Sequence, residues 1–171
     1  MNINIRNVSI EDLDAVSEVE AKCFLEAEAA LKASFEKRIK TFPENFYVAE
    51  VEGKIIGLIN GCITNEKTIY DELFSDVSLH IPNGDYQAIF GLDVIPDYRN
   101  QGIAAQLMSH MIEASRAANR KGLILTCKEH MIDYYSKFGF NNKGISNSQH
   151  GGAVWYDMIL EFWYSLGVNI L

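Results

Sequence analysis

The feature that most constrains the fold of this chain is a strand–turn–helix unit over residues 92–112. A strongly apolar strand pattern is broken at Pro96 and is followed by an amphipathic helical pattern. Arg99, Gly102 and Ala104 form an Arg-x-x-Gly-x-Ala sequence at the junction, where small residues let a ligand approach the backbone. The first N–H groups of a helix lack partners within the helix, and its dipole favours negative charge there. The unit therefore predicts a binding site for a phosphorylated ligand.

The bulk properties are those of a soluble globular protein. The chain has 171 residues, which predicts one domain over residues 1–171 with a substantial core. Its hydrophobic content of 48% and charged content of 22% are ordinary. The formal net charge of −8 argues against a nucleic-acid partner, because phosphate contacts need clustered lysine and arginine.

Cysteine and histidine usage gives no sign of a disulfide framework or a metal site. The three cysteines are scattered, and the histidines at positions 80, 110 and 150 lack metal-ligand spacing. The N-terminal segment has no apolar core of the signal-peptide type. No run approaches the roughly 20 apolar residues of a membrane helix. We therefore expect no metal, no membrane partner and a cytoplasmic location.

Hydrophobic periodicity predicts an α/β (α+β) fold in the order β-α-α-β-β-β-α-β-α-β. The second helix is predicted from Ala27, Leu31, Phe35 and Ile39, which recur at four-residue steps. Residues 46–63 predict a hairpin, residues 88–95 one strand, and the pattern from Ile103 to Ser115 a long helix. We expect a mixed central sheet of about six to seven strands with helices on both faces.

A second motif follows the predicted helix. Tyr135 lies four residues before Gly139-Phe140, and with the Arg-x-x-Gly-x-Ala loop it resembles the signature of GNAT-family acyl-CoA N-acyltransferases. The order of elements agrees with the GNAT fold over nearly the whole chain. The pattern is most similar to arylalkylamine (serotonin-type) N-acetyltransferases, through residues 20–25, 51–57, 80–84 and 125–140.

The resemblance implies acetyl-CoA as the cofactor. Backbone groups of Leu92 and Val94 would pair with the pantetheine arm, in a gap beside the strand that carries Leu125. Tyr135 would lie near the sulfur and protonate the leaving thiolate as a general acid. The pyrophosphate would be held by the loop and the first helical turn, namely Arg99, Asn100, Gln101, Gly102, Ile103, Ala104 and Ala105.

One departure from that family concerns the base. The arylalkylamine enzymes use two histidines on the central strand, whereas Ala88 and Phe90 occupy the matching positions here and cannot carry protons. The amine must lose a proton before it attacks, so either another base is needed or the substrate arrives neutral. The candidates are Glu129, His130 and the glutamates Glu20, Glu26 and Glu28. Asp93 is expected on the opposite face of the strand from Leu92 and Val94, in a structural hydrogen bond.

The function predicted from the sequence is transfer of an acetyl group from acetyl-CoA to a small primary amine by direct attack. The long connection over residues 65–86 favours a small acceptor if it covers the site. Acetylation of a protein or peptide, and a non-catalytic acyl-CoA-binding regulator, are the alternatives. The sequence names no acceptor, and it is compatible with a monomer or a homodimer.

Overall fold

A computed structural model describes residues 1–163, and the last eight residues of the predicted domain lie outside the described part. Its regular elements follow in chain order. They are β1 (Asn4–Asn7), α1 (Leu13–Cys23), α2 (Lys32–Thr41), β2 (Phe46–Val51), β3 (Lys54–Asn60), β4 (Ile63–Thr64), α3 (Glu72–Ser75), β5 (Tyr86–Ile89), β6 (Gly91–Val94), α4 (Ile103–Ala117), β7 (Gly122–Cys127), α5 (Ile132–Ser136), β8 (Asn141–Ile145) and β9 (Tyr156–Glu161). The mixed α/β fold is confirmed.

The strands form two hydrogen-bonded sheets. One has the order β1-β2-β3-β6 and the other β4-β5-β7-β9-β8. The predicted strand over residues 88–95 is two strands, because the chain leaves one sheet at Phe90 and joins the other. β5 pairs with β7 in parallel within the second sheet, whereas β6 pairs with β3 in the first sheet. A gap therefore opens between β6 and β7, as the resemblance implied.

Helices cover both faces of the first sheet. A side chain on Gly57 of β3 would lie 3.4 Å from Leu107 of α4. Asn60, three residues later, accepts a hydrogen bond from Arg38 of α2 through its side-chain oxygen. An odd separation along a strand places residues on opposite faces. The sheet thus lies between α4 and the α1–α2 pair.

The long helix is built as its sequence pattern predicts. Ile103, Leu107, Met108, Met111 and Ser115 are buried, and α4 packs against four strands. By contrast, the predicted stripe of α2 is only half right. Phe35 and Ile39 are buried, but Ala27 precedes the helix and Leu31 is 72% exposed. The stripe extended past the true start of α2, because residues 24–31 form turns instead of a helix.

Candidate active site

A cavity of about 690 Å³ lies at the gap between β6 and β7. It brings together the two motifs, which are more than 30 residues apart in the chain. We call residues 98–105 the loop end of the cavity. We call the opposite group the aromatic end; it consists of Phe24, Glu28, Phe90, Lys128 and Trp155.

The loop end is shaped by its backbone. Asn100 (φ 58°) and Gly102 (φ 79°) adopt the left-handed conformation, and Gly102 is the N-cap of α4. A side chain on Gly102 would meet no atom within 4 Å, so glycine is needed there for its backbone angle. The Gly102 carbonyl oxygen accepts the first hydrogen bond of the helix, from the Gln106 N–H, but no side chain within residues 1–163 caps the N–H groups of the first turn. The first-turn N–H groups are therefore available to an anion.

Arg99 fixes the loop to the end of β6. Its Nε donates a hydrogen bond to the Val94 carbonyl oxygen at 2.9 Å, and the Cys23 thiol lies 3.4 Å from the same oxygen. The rest of the Arg99 side chain is exposed at the cavity. Arg99 thus holds the loop in place while its charge remains beside the uncapped helix end.

Tyr135 lines the cavity from α5. Its ring makes edge-on contacts with Tyr134 and Phe140, at centroid distances of 5.3 and 6.1 Å. Burial, with the nearby Cys127, Tyr134 and Asp93, raises the pKa of the Tyr135 phenol well above its ordinary value. The phenol is therefore a neutral proton donor at physiological pH.

The aromatic end is held by contacts between distant segments. Glu28 and Lys128 form an ion pair at 2.8 Å, and the Lys128 ammonium lies 5.8 Å from the centroid of the Trp155 ring. His150 donates from Nε2 to the Glu28 carbonyl oxygen at 2.9 Å and stacks on Phe74 at 4.9 Å. His150 lies in the segment between β8 and β9, and these contacts support the wall of the cavity, a role that its sequence pattern did not signal.

Most of the predicted site residues lie at the cavity. All the predicted cofactor residues line the cavity except Gln101, whose side chain is exposed and donates to the Asp97 carbonyl oxygen at 3.4 Å. Among the candidate bases, Glu28 and His130 line the cavity, whereas Glu26 and Glu129 are exposed outside its lining. Phe90 lines the cavity, and Ala88 is buried outside it.

Asp93 lies on the face of β6 that the alternation predicts, but its surroundings differ from the expectation. It is 1% exposed, and no described donor reaches either carboxyl oxygen. The expected structural hydrogen bond is therefore wrong. Burial and the neighbouring Glu20 carboxyl raise the pKa of Asp93 well above its ordinary value.

Comparison with known proteins assigns the family. Residues 13–140 match the acetyltransferase (GNAT) family, and the chain belongs to it. Two curated relatives come from Bacillus subtilis (strain 168). A probable hydrolase, YhcX, is 26% identical over 71% of this chain and 25% of its own length. An uncharacterized N-acetyltransferase, YkwB, is 29% identical over 65% of this chain and 54% of its own length. The chain thus spans a quarter to about half of these relatives.

Solved structures share the fold at low sequence identity. The loading GNATL domain of CurA from Lyngbya majuscula is 16% identical with a TM-score of 0.79, covering 94% of this chain and 98% of that one. PaiA N-acetyltransferase from Thermoplasma acidophilum, in complex with coenzyme A, is 19% identical with a TM-score of 0.71 over 95% and 100%. The ribosomal-protein-S18-alanine N-acetyltransferase of Escherichia coli is 18% identical with a TM-score of 0.72 over 99% of both chains.

These findings confirm the GNAT family, its acyltransferase class and coenzyme A as its cofactor. The loop end fits the pyrophosphate of that cofactor, because uncapped first-turn amides, two left-handed residues and the Arg99 charge meet there. Within residues 1–163 no cluster of three or more metal-ligating side chains occurs. In the same residues no helix is long and apolar enough to cross a membrane.

Proposed function

We propose that the protein is an N-acetyltransferase that moves an acetyl group from acetyl-CoA to the primary amine of a small molecule. The observation that carries this proposal is the single cavity lined by both Gly102 at the start of α4 and the protonated phenol of Tyr135. One element can hold the cofactor phosphates and the other can serve the leaving group. The proposed location is the cytoplasm, and the proposed state is a monomer or a homodimer.

The proposed reaction is direct transfer. Acetyl-CoA supplies a thioester whose carbonyl is attacked by the neutral amine. Leu92 and Val94 would orient the pantetheine arm along the free edge of β6, and the amides of residues 100–105 would hold the pyrophosphate. As the C–S bond breaks, the Tyr135 hydroxyl would give its proton to the departing thiolate. Cys127 is a poor alternative nucleophile, because burial raises the pKa of its thiol to about 11.

The aromatic end favours a small acceptor. The connection over residues 65–86 is tied to the segment before β9. Ser148 donates to Asp71 at 2.5 Å, and the backbone N–H of Gln149 donates to the other oxygen of the same carboxyl at 3.0 Å. Phe74 from this connection stacks on His150, which supports the Glu28 wall. No residue of this connection lines the cavity, so its support of the Glu28 wall is indirect. A wall braced in this way suits a compact amine better than an extended peptide. It is also compatible with the narrower likeness to the arylalkylamine enzymes.

Release of free thiol from acetyl-CoA, measured over a panel of small amines and short peptides, tests the proposal. We expect turnover with at least one small amine and none with the peptides. Turnover with peptides alone would instead favour protein or peptide acetylation. Acetyl-CoA binding without turnover of any acceptor would favour the non-catalytic regulator. Ala88 and Phe90, which cannot carry protons, are the residues that suggest this alternative.

A further inference from the structure

A buried pair of acidic residues lies under the strand that borders the cavity. Asp93 of β6 and Glu20 of α1 are 1% and 6% exposed, and their carboxyl groups are neighbours in the interior. Two ionised carboxylates in a buried site repel each other, so burial and the Glu20 carboxyl favour a proton on Asp93. A buried pair of this kind carries one shared proton over a wide pH range.

One backbone amide and one cation lie around the pair. Glu20 uses Oε1 to accept the backbone N–H of Ala30 at 2.8 Å. Arg38, the nearby cation, directs its guanidinium to Asn60 and to the Phe74 carbonyl oxygen, at 3.1 and 2.9 Å. Burial lowers the pKa of Arg38 to about 10, so it stays charged at neutral pH. Its charge favours an ionised pair, although within residues 1–163 it donates no hydrogen bond to either acid.

Further polar atoms without partners meet beside Gly91. The Asn60 Nδ2 group and both oxygens of Asp93 have no hydrogen-bond partner in the described chain. All three lie 3.6 Å from the position that a Cβ atom on Gly91 would take, and they are the nearest atoms outside residues 90–92. Gly91 and Asp93 both line the cavity. These polar atoms therefore lie beside a glycine that borders the cavity.

The acid pair and Tyr135 lie near the same reaction space. Asp93 is close enough to Tyr135 to interact with it electrostatically. The charged or titratable groups around Asp93 are Glu20 and Cys23 from α1 and Arg38 from α2. A proton donor and a proton acceptor thus border one cavity, although Ala88 and Phe90 occupy the positions that match the histidines of the arylalkylamine enzymes.

We propose that Asp93, paired with Glu20, accepts the proton that the acceptor amine must lose, through one water molecule drawn in beside Gly91. This inference rests on the proposed N-acetyltransferase function. The ammonium gives one proton to the ionised pair, and the neutral nitrogen attacks the thioester carbonyl. When the C–S bond breaks, Tyr135 protonates the thiolate and recovers a proton from the acetylated nitrogen. The pair later releases its proton to solvent, so the balance is one amide, one thiol and one proton.

The first test needs no substrate. Infrared difference spectra of the free protein, titrated from pH 5 to 9, should contain the C=O stretching band of a protonated carboxyl group. Asp93→Asn and Glu20→Gln should each remove it. Asp157→Asn is the matched control, because Asp157 also has a buried unpartnered oxygen and a raised pKa but lies outside the cavity lining. If the spectrum of Asp93→Asn keeps every carboxyl C=O band of the wild type, the pair holds no shared proton.

The second test is kinetic. At pH 7, Asp93→Asn should lower kcat/KM for the amine by about 100-fold, the lower part of the range for a general base. The defect should shrink at high pH, where the amine is already neutral, and coenzyme A affinity should be unchanged. Gly91→Ala should give a smaller loss of the same kind, because a methyl group would fill the space without a clash. Asp157→Asn should keep the wild-type profile.

The outcomes separate the two proposals. Equal pH profiles for wild type, Asp93→Asn and Gly91→Ala, with coenzyme A binding intact, would overturn the role of Asp93 while leaving the acetyltransferase proposal standing. If the wild-type protein turns over no amine, the proposed function fails and the base role fails with it. The infrared result then still decides whether the acid pair holds a shared proton.

Discussion

The loop end and the aromatic end of the cavity differ in what they are made of. The loop end comes from one continuous stretch, residues 98–105, and its shape depends on backbone angles and uncapped amides. The aromatic end is assembled from side chains of separate segments, joined by the Glu28–Lys128 ion pair and the His150 contacts. A cofactor can be bound by a local backbone motif, whereas the proposed acceptor would be selected by side chains brought together from several segments.

Replacing the proton donor should produce the largest change. Tyr135→Phe is expected to lower kcat by at least about 100-fold, because a general acid contributes a factor of that order. Coenzyme A affinity should stay within twofold. Steady-state kinetics and calorimetric titration measure the two quantities. Tyr47→Phe is the control: its hydroxyl pKa is also raised by burial, but the residue is outside the cavity lining. Equal activity of the two variants would remove Tyr135 from the mechanism.

Altering the loop should weaken binding at that end alone. Gly102→Ala and Gly53→Ala place a side chain at nearly the same backbone angle (φ 79° and 78°), with no atom within 4 Å in either case. Both should lose about 1–2 kcal/mol of stability from backbone strain. Only Gly102→Ala should raise the Kd for coenzyme A, by about tenfold or more, since it distorts the anion-binding turn. Equal affinities in the two variants would contradict this assignment.

A change at the aromatic end should affect the acceptor and spare the cofactor. Glu28→Gln removes the charge that pairs with Lys128, and the Glu28 side chain is only 8% exposed. We expect the KM for the amine to rise several-fold, because the wall loses its ion pair, while the Kd for coenzyme A is unchanged. Glu36→Gln, which breaks an exposed ion pair with Lys40, should change neither. A rise in both constants for Glu28→Gln would show that the two ends are not independent.

The smallest expected effect is an absence of pH dependence. A raised pKa keeps an acid protonated to higher pH, so Tyr135 should remain a donor well above pH 9. We therefore expect kcat to stay level from pH 8 to 10, apart from any change in the amine itself. A tyrosine with an ordinary pKa near 10 would already be half ionised at pH 10. A fall in kcat that begins near pH 8 would show that Tyr135 is not the donor.

The same division explains what the sequence could predict. The loop, α4 and the hairpin of β2 and β3 depend on neighbouring residues, and their patterns predicted them. The break at Phe90 lies inside an unbroken apolar run, and only the pairing of β5 with β7 and β6 with β3 reveals it. β8 was missed because its residues are mostly exposed and carry no apolar alternation.

Long-range contacts account for the site residues that the sequence could not assign. Asp93 was placed correctly on its strand, but its neighbour Glu20 is more than 70 residues away in the chain. His150 acquires its position from Phe74 and Glu28, which belong to two other segments. A single sequence contains no periodicity that links such positions, so their roles became visible only in three dimensions.

The gap between β6 and β7 also has a consequence for solubility. A strand edge with free backbone groups is a template on which another chain can add a strand. β6 is such an edge in its sheet, and its residues line the cavity. If the cofactor lies along β6 as proposed, its release exposes an unpaired strand edge in every catalytic cycle. Coenzyme A should then act as a protective ligand that suppresses self-association of the protein at high concentration.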